Sequence, residues 1–156
     1  MWTANPIDIA VAGDRIEVQF EEGGSHRVIP LRTDPPAADE PYSPLGYSVA
    51  RWDDGALVVE TTHLESPTIV NDLGYPLSRN AILRERYWKD PGDTTLRLEF
   101  EIEDPANYTE TLRFRRIWGQ SQTEHVMEWD CFSLGPRDAG APDFDELTRM
   151  LEQIEP

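Results

Sequence analysis

Cysteine is almost missing from this chain: Cys131 is the single thiol in 156 residues. One thiol cannot close an internal disulfide. No Cys-x-x-Cys pair or Cys/His cluster accompanies it, so the sequence gives no support for a zinc site. Free cysteines are usually small buried residues, and Cys131 is expected to be one. Long apolar runs are absent too; nothing approaches the ~20 residues of a membrane span. The start, "MWTANPIDIAV", has no basic region followed by a long apolar core. No signal peptide is therefore expected and the cytoplasm is the default location. A removed leader would leave no trace, which keeps an exported location open.

Basic residues are scarce. Fourteen Lys and Arg stand against 30 Asp and Glu, a formal net charge of −16. Such a surface repels phosphate backbones and anionic bilayers, which argues against nucleic acid and membranes as partners. Its simplest role is solubility. Repeats and low-complexity tracts are lacking, as are the recognised catalytic signatures: no GxSxG elbow, P-loop, GxGxxG or HExxH is present.

What remains reads as one domain, residues 1–156, long enough to bury a proper core. Hydrophobic residues make up 38% and aromatics 10%. Short alternating runs separated by turn signals predict an all-β domain. "IDIAV" (7–11), "RIEVQF" (15–20) and "HRVIPL" (26–31) come first. The four prolines of "RTDPPAADEPYSPL" (32–45) mark a loop, since proline removes ladder donors. A second long irregular segment spans 63–80. Three strong strands follow, "ILRERYWK" (82–89), "TTLRLEFEIE" (94–103) and "TLRFRRIW" (111–118), with Leu96, Leu98, Phe100 and Ile102 on an inner face. "TEHVMEWDCF" (123–132) is expected to be the last strand. The tail changes to a helical period: Phe144, Leu147, Leu151 and Ile154 form one stripe, with Asp143 and Glu146 as a capping-box-like start of a helix over 143–154.

Roughly eight antiparallel strands and one C-terminal α-helix suit a closed barrel, which removes exposed edges and leaves room for side chains or one small ligand. A two-sheet sandwich is the rival fold. In "GYSVARWDDGALVVETT" (46–62), a two-residue Asp54-Gly55 turn of type I′ pairs Asp53 with Ala56, Trp52 with Leu57 and Ser48 with Thr61. Arg51 and Glu60 then become diagonal neighbours on one face. Such a pair contributes little if solvated and is costly inside a barrel unless further partners satisfy it. Glu85 shares a face with Leu83 and Tyr87, while Arg84 and Arg86 share one with Ile82 and Trp88. One of these faces must turn inward, so some interior charge is expected.

The segments "GYSVARWDDGALVVETT", "RERYWKDPGDTTLRLEFEIEDPANYTETLRFRR" and "EWDC" resemble an uncharacterised bacterial family. Its members show G-x-S-x-x-R-W…G-x-L-V-V-[DE]-T, then an E-R strand, a D-P-x-x-Y-T turn and a final E-[YW]-x-C strand. The matching positions are Gly46, Ser48, Arg51, Trp52, Glu60, Thr61, Glu85, Arg86, Asp104, Pro105, Tyr108, Glu128 and Cys131, within residues 46–132. The resemblance implies a lipocalin-like barrel with no established reaction. This chain departs from the pattern after Cys131, where "FSLG" stands in place of acidic and amide residues.

Two functions follow as expectations. The first is a lipocalin-like barrel that binds a small apolar or aromatic molecule. Its pocket would use Tyr47, Trp52, Tyr87, Trp88 and Trp129, with Arg51, Arg86 and Glu60 as polar anchors. The second is a cofactor-independent acid/base enzyme, a lyase, isomerase or cyclase, in the same cavity. There Glu60, Glu85 or His63 would move a proton, and an arginine would hold an enolate or a carboxylate. A third reading, an interaction domain docking through its terminal helix, stands behind both. The bland alternative is that these charges form a structural network or a solvated face. No metal or cofactor is expected, since His26, His63 and His125 sit on separate segments with no ligand spacing. A homodimer is compatible with the sequence.

Overall fold

A computed structural model of the chain describes residues 5–21, 25–37, 39–66, 68, 69, 74–121 and 126. Over these residues the protein is all-β. β1 (Ile7–Ala12), β2 (Arg15–Phe20) and β3 (His26–Pro30) form an antiparallel sheet in that order. β4 (Tyr47–Asp53) and β5 (Ala56–Thr62) open a second sheet. After a short hairpin, β6 (Thr68–Ile69) with β7 (Pro76–Leu77), that sheet is completed by β8 (Ile82–Trp88), β9 (Leu96–Glu103) and β10 (Leu112–Trp118), in the order β10-β9-β8-β5-β4. Among the described residues there is no helix, and so none long and apolar enough to cross a membrane.

The expected antiparallel all-β architecture is present; a closed barrel is not formed by backbone pairing among the described residues. β3 meets β4 through one parallel bridge, Leu31 with Ala50, and no ladder joins β10 to β1. The reason lies in the sequence between them. Pro30 ends β3 without an N–H, and the proline-rich segment 32–45 cannot extend the ladder. The strand expected over 123–132 and the helix expected over 143–154 lie outside the described residues, Val126 excepted.

Alternation decides which side of each strand is buried. Ile16, Val18 and Phe20 of β2 are buried, as are Ile29 of β3, Ala50 of β4, Leu57 and Val59 of β5, Leu83 of β8, and Leu98, Phe100 and Ile102 of β9. The two sheets share this one core. The opposite faces carry cross-strand ion pairs such as Arg84 with Glu60 and Glu103, Arg113 with Glu101 and Arg115 with Glu99. Each such exposed pair contributes about 0–1 kcal/mol.

Two turns are fixed by particular residues. Asp54 and Gly55 have φ of 46° and 74°, the left-handed pair that a type I′ turn requires. Asp53 accordingly pairs with Ala56, Trp52 with Leu57 and Ser48 with Thr61, the register expected from the sequence. Gly46, at φ 69°, sits where a Cβ would lie 2.5 Å from the Thr62 carbonyl oxygen and 2.8 Å from Thr61 Cγ2. No side chain fits there without moving the backbone of β5.

The D-P-x-x-Y-T segment is a carboxylate-centred turn. Asp104 is buried after β9 and accepts hydrogen bonds from the Ser78 N–H at 2.7 Å, the Ser78 hydroxyl at 2.6 Å and the Asn107 side chain at 2.7 Å. The Tyr108 hydroxyl donates to the Pro76 carbonyl at 2.8 Å. This turn thus ties the β9–β10 connection to the segment before β8. Burial works to raise the pKa of Asp104, but the bonds from Ser78, Asn107 and the Ala106 N–H outweigh it and hold the group below the usual carboxylate range.

Gly46→Ala is expected to cost roughly 2–4 kcal/mol, from the left-handed backbone plus the clash. Gly55→Ala, with the same backbone but open space around it, should cost about 1 kcal/mol. Equal urea midpoints for the two variants would remove the packing argument. For Asp104 the sign is that of a depressed carboxylate: its stabilisation is complete above the unfolded pKa of about 4 and is lost as pH falls through the folded value. Asp104→Asn should therefore be less stable than wild type at pH 7 and should lose less on acidification to pH 3. Parallel acid limbs in urea titrations would contradict this.

Candidate functional site

Two features stand out inside the fold, a buried charge network and an aromatic-walled cavity, and Tyr87 belongs to both. β3 places Arg27 on the same side as Ile29, so the guanidinium enters the core, where the residue is 4% exposed. Arg27 Nη1 and Nη2 donate to the two oxygens of Glu85 at 3.2 and 2.9 Å. Nη2 also lies 2.9 Å from the Ser48 hydroxyl and 3.1 Å from that of Thr61, and these hydroxyls are 2.8 Å apart. The Tyr87 hydroxyl donates to Glu85 Oε1 at 2.6 Å. Among the described residues the Arg27 Nε–H has no acceptor. Burial works to lower the pKa of Arg27, but the Glu85 carboxylate and Tyr87 outweigh it and raise it above the ordinary arginine value. The guanidinium stays charged.

The cavity has a volume of about 680 Å³ and is lined by residues at the ends of β4, β8 and β10. Trp52, Leu57 and Tyr87 form a row across three strands, because Trp52 pairs with Leu57 and Leu57 with Tyr87. Trp88, Leu96 and Trp118 complete the apolar lining, with Ile7 and Ile9 from β1. Polar groups are few: Asp8, Lys89, Thr94, Gln120 and Ser121. The Trp118 Nε1–H donates to the Asn5 carbonyl at 3.2 Å and links β10 to the segment before β1 beside the cavity.

The residues singled out from the sequence fall into four places. Trp52 and Tyr87 meet at the cavity, while Trp88, paired with Arg97 and alternating with Tyr87, borders it from the Arg86 face of β8. Glu85 is buried behind it, bound to Arg27. Arg51, Glu60 and Arg86 lie on the other side of the sheet, where Glu60 pairs with Arg84 and Arg86 with Asp53. Tyr47 and His63 sit at the far end of the β4–β5 hairpin, five residues along the strand from Trp52, roughly 17 Å. There the His63 ring lies 6.5 Å from Tyr47 and 5.1 Å from Tyr42, and Nδ1 is 3.0 Å from the Thr62 hydroxyl. The inward-facing charge expected from the hairpin therefore comes from β3 and β8 instead, while Arg51 and Glu60 are solvated. The carboxylates Glu60 and Glu85 occupy opposite faces, and neither adjoins His63. Trp129 lies outside the described residues. Among the described residues no cluster of His, Cys, Asp and Glu could hold a metal ion.

Arg27 escaped the reading of the sequence. Its signal was parity: in "HRVIP", Arg27 alternates with Ile29, while Val28 is 52% exposed. Three matching positions of the family-like motif, Ser48, Thr61 and Glu85, turn out to surround this one guanidinium. Comparison with protein-family models, curated proteins and solved structures gives no match, so the functional reading rests on the site itself.

Removing one partner of a buried pair leaves the other uncompensated, at a cost of about 3–5 kcal/mol. Arg27→Met and Glu85→Gln are each expected to destabilise by that order. The double variant Arg27→Met/Glu85→Met should cost clearly less than the two single effects together. Additive losses in a double-mutant cycle by urea unfolding would show that the two groups are not coupled.

Proposed function

We propose that the protein is a lipocalin-like barrel that binds a small apolar or aromatic molecule. The observation that carries this reading is the cavity of about 680 Å³ walled by Trp52, Leu57, Tyr87, Leu96 and Trp118. Small-molecule sites are typically clefts of about 300–1,000 Å³, mostly apolar, with a few polar groups that fix orientation. Tryptophan and tyrosine supply large, stiff surfaces that favour stacking with a planar ligand. Barrel closure in the complete protein is supported by the shared core of the two sheets, the Leu31–Ala50 bridge and the Trp118–Asn5 hydrogen bond.

The acid/base alternative has less support. Glu85, the buried carboxylate, already accepts hydrogen bonds from Arg27 and Tyr87, which stabilise it as a charged acceptor and oppose proton abstraction. Glu60 and His63 do not line the cavity. In this reading Glu85 is a positioning group: it holds the Tyr87 ring in place through the phenol.

The neutral dye N-phenyl-1-naphthylamine brightens in apolar pockets and serves as a probe. Wild type is expected to bind it, and Trp118→Ala and Trp52→Ala should weaken it about tenfold, as loss of one aromatic contact of about 1–1.5 kcal/mol implies. Arg51→Met and Glu60→Gln, on the other side of the sheet, should leave it unchanged. A fluorescence titration in which the tryptophan variants bind like wild type would reject this cavity as the site.

A further inference from the structure

We infer that the ligand of this cavity is an amphipathic anion, an aromatic or apolar body carrying a carboxylate or sulfonate, whose charge is held by Lys89. This rests on the reading of the cavity as a small-molecule site and adds the ligand's charge. Lys89 is the only lysine in the 156 residues. It is also the only cation among the described residues that line the cavity, where it follows Trp88 and stands two residues beyond Tyr87.

Like Arg32, Arg51, Arg79 and Arg116, Lys89 has no carboxylate at ion-pair distance among the described residues, and of these five cations it alone lines the cavity. Arg15, Arg27, Arg84, Arg86, Arg97, Arg113 and Arg115 each have a carboxylate at ion-pair distance. The acid next to Lys89, Asp90, pairs with Arg97 at 2.9 Å instead. Among the described residues no carboxylate pairs with Lys89. With 30 acidic side chains against 14 basic ones, a cation left over beside an aromatic wall is a free counter-charge at the cavity's edge. An exposed ammonium keeps its hydration while the cavity is empty, so the arrangement has little desolvation cost, unlike a buried charge. Ligand discrimination then follows from geometry: the apolar body lies against Trp52, Tyr87 and Trp118, and the anionic group stays at the rim near Lys89. Asp8 is the one carboxylate in the same lining and opposes such a ligand. The overall charge of −16 also opposes it from a distance, but that repulsion is screened beyond ~8 Å at physiological salt. Selection for the anion is therefore local.

The test compares two dyes of nearly the same shape. 1-Anilinonaphthalene-8-sulfonate carries a sulfonate, and N-phenyl-1-naphthylamine is its neutral counterpart. Lys89→Gln is expected to weaken the sulfonate dye about fivefold, the size of a rim ion pair, and to leave the neutral dye unchanged. Lys89→Arg should restore sulfonate binding, and Asp8→Asn should strengthen it. Added salt should erode wild-type affinity for the sulfonate dye alone. If Lys89→Gln binds the sulfonate dye as wild type does, or weakens both dyes equally, the assignment of Lys89 is overturned while the cavity reading survives. If wild type binds neither dye, the cavity reading itself fails, and this inference with it.

Discussion

A guanidinium can leave water only where acceptors surround it, and Arg27 finds them on three strands of the opposite sheet. Ser48 comes from β4, Thr61 from β5 and Glu85 from β8. Ion pairs such as Arg84–Glu60 and Arg113–Glu101 join neighbours within one sheet. Arg27–Glu85 crosses from one sheet to the other. Apolar side chains such as Ile29 and Leu83 tolerate many packings, whereas a charge pair with two hydroxyls and a phenol is satisfied in very few. The network therefore acts as a register pin. Shifting β3 by one residue would bury Val28 and His26 and expel Arg27 and Ile29, leaving Glu85 buried without its counter-charge.

The same network explains the cavity's shape. Tyr87 spends its hydroxyl on Glu85, so the ring cannot swing without breaking a 2.6 Å bond inside the core. Its ring is then a fixed part of the cavity wall. Trp52 and Leu57 are positioned differently, by the type I′ turn whose register sets them opposite one another. One wall is thus held by a polar core and the next by turn chemistry. Such separate supports give a preorganised surface, and preorganisation lowers the ordering cost of binding.

Much of the fold could be read directly because its signals were local. Asp54-Gly55 dictated a turn type, the turn dictated the register, and the register placed Trp52 opposite Leu57. The alternation of Leu96, Leu98, Phe100 and Ile102 was equally plain. The site was half legible. Trp52 and Tyr87 line the cavity, whereas Trp88, next along β8, falls on the Arg86 face. Arg51 and Glu60 were expected on one shared face and as polar anchors of a pocket, with the inward face left open; which side of a hairpin is buried depends on the sheet packed against it, which no local pattern reveals. Glu85 carried the ambiguity openly, sharing its face with Leu83 and Tyr87. Its partner lay 58 residues earlier on another sheet. A salt bridge across that distance has no spacing rule, unlike the diagonal neighbours of a hairpin.

That difference between local and non-local signals also clarifies what the motif-like residues do. Gly46, Ser48, Thr61, Glu85, Asp104 and Tyr108 look, in a sequence, like a catalytic set: hydroxyls, carboxylates, a phenol and a glycine. In the fold each has a structural partner. Gly46 lets the chain pass against the β5 backbone, Ser48 and Thr61 support Arg27, and Asp104 and Tyr108 tie the β9–β10 turn to the segment before β8. Residue types suited to chemistry are here consumed by holding strands together. At the cavity, the side chains of Trp52 and Lys89 line the wall and have no hydrogen-bond or ion-pair partner among the described residues. A cavity lining that leaves aromatic rings and one cation uncommitted fits the proposed ligand, an apolar body with a negative charge.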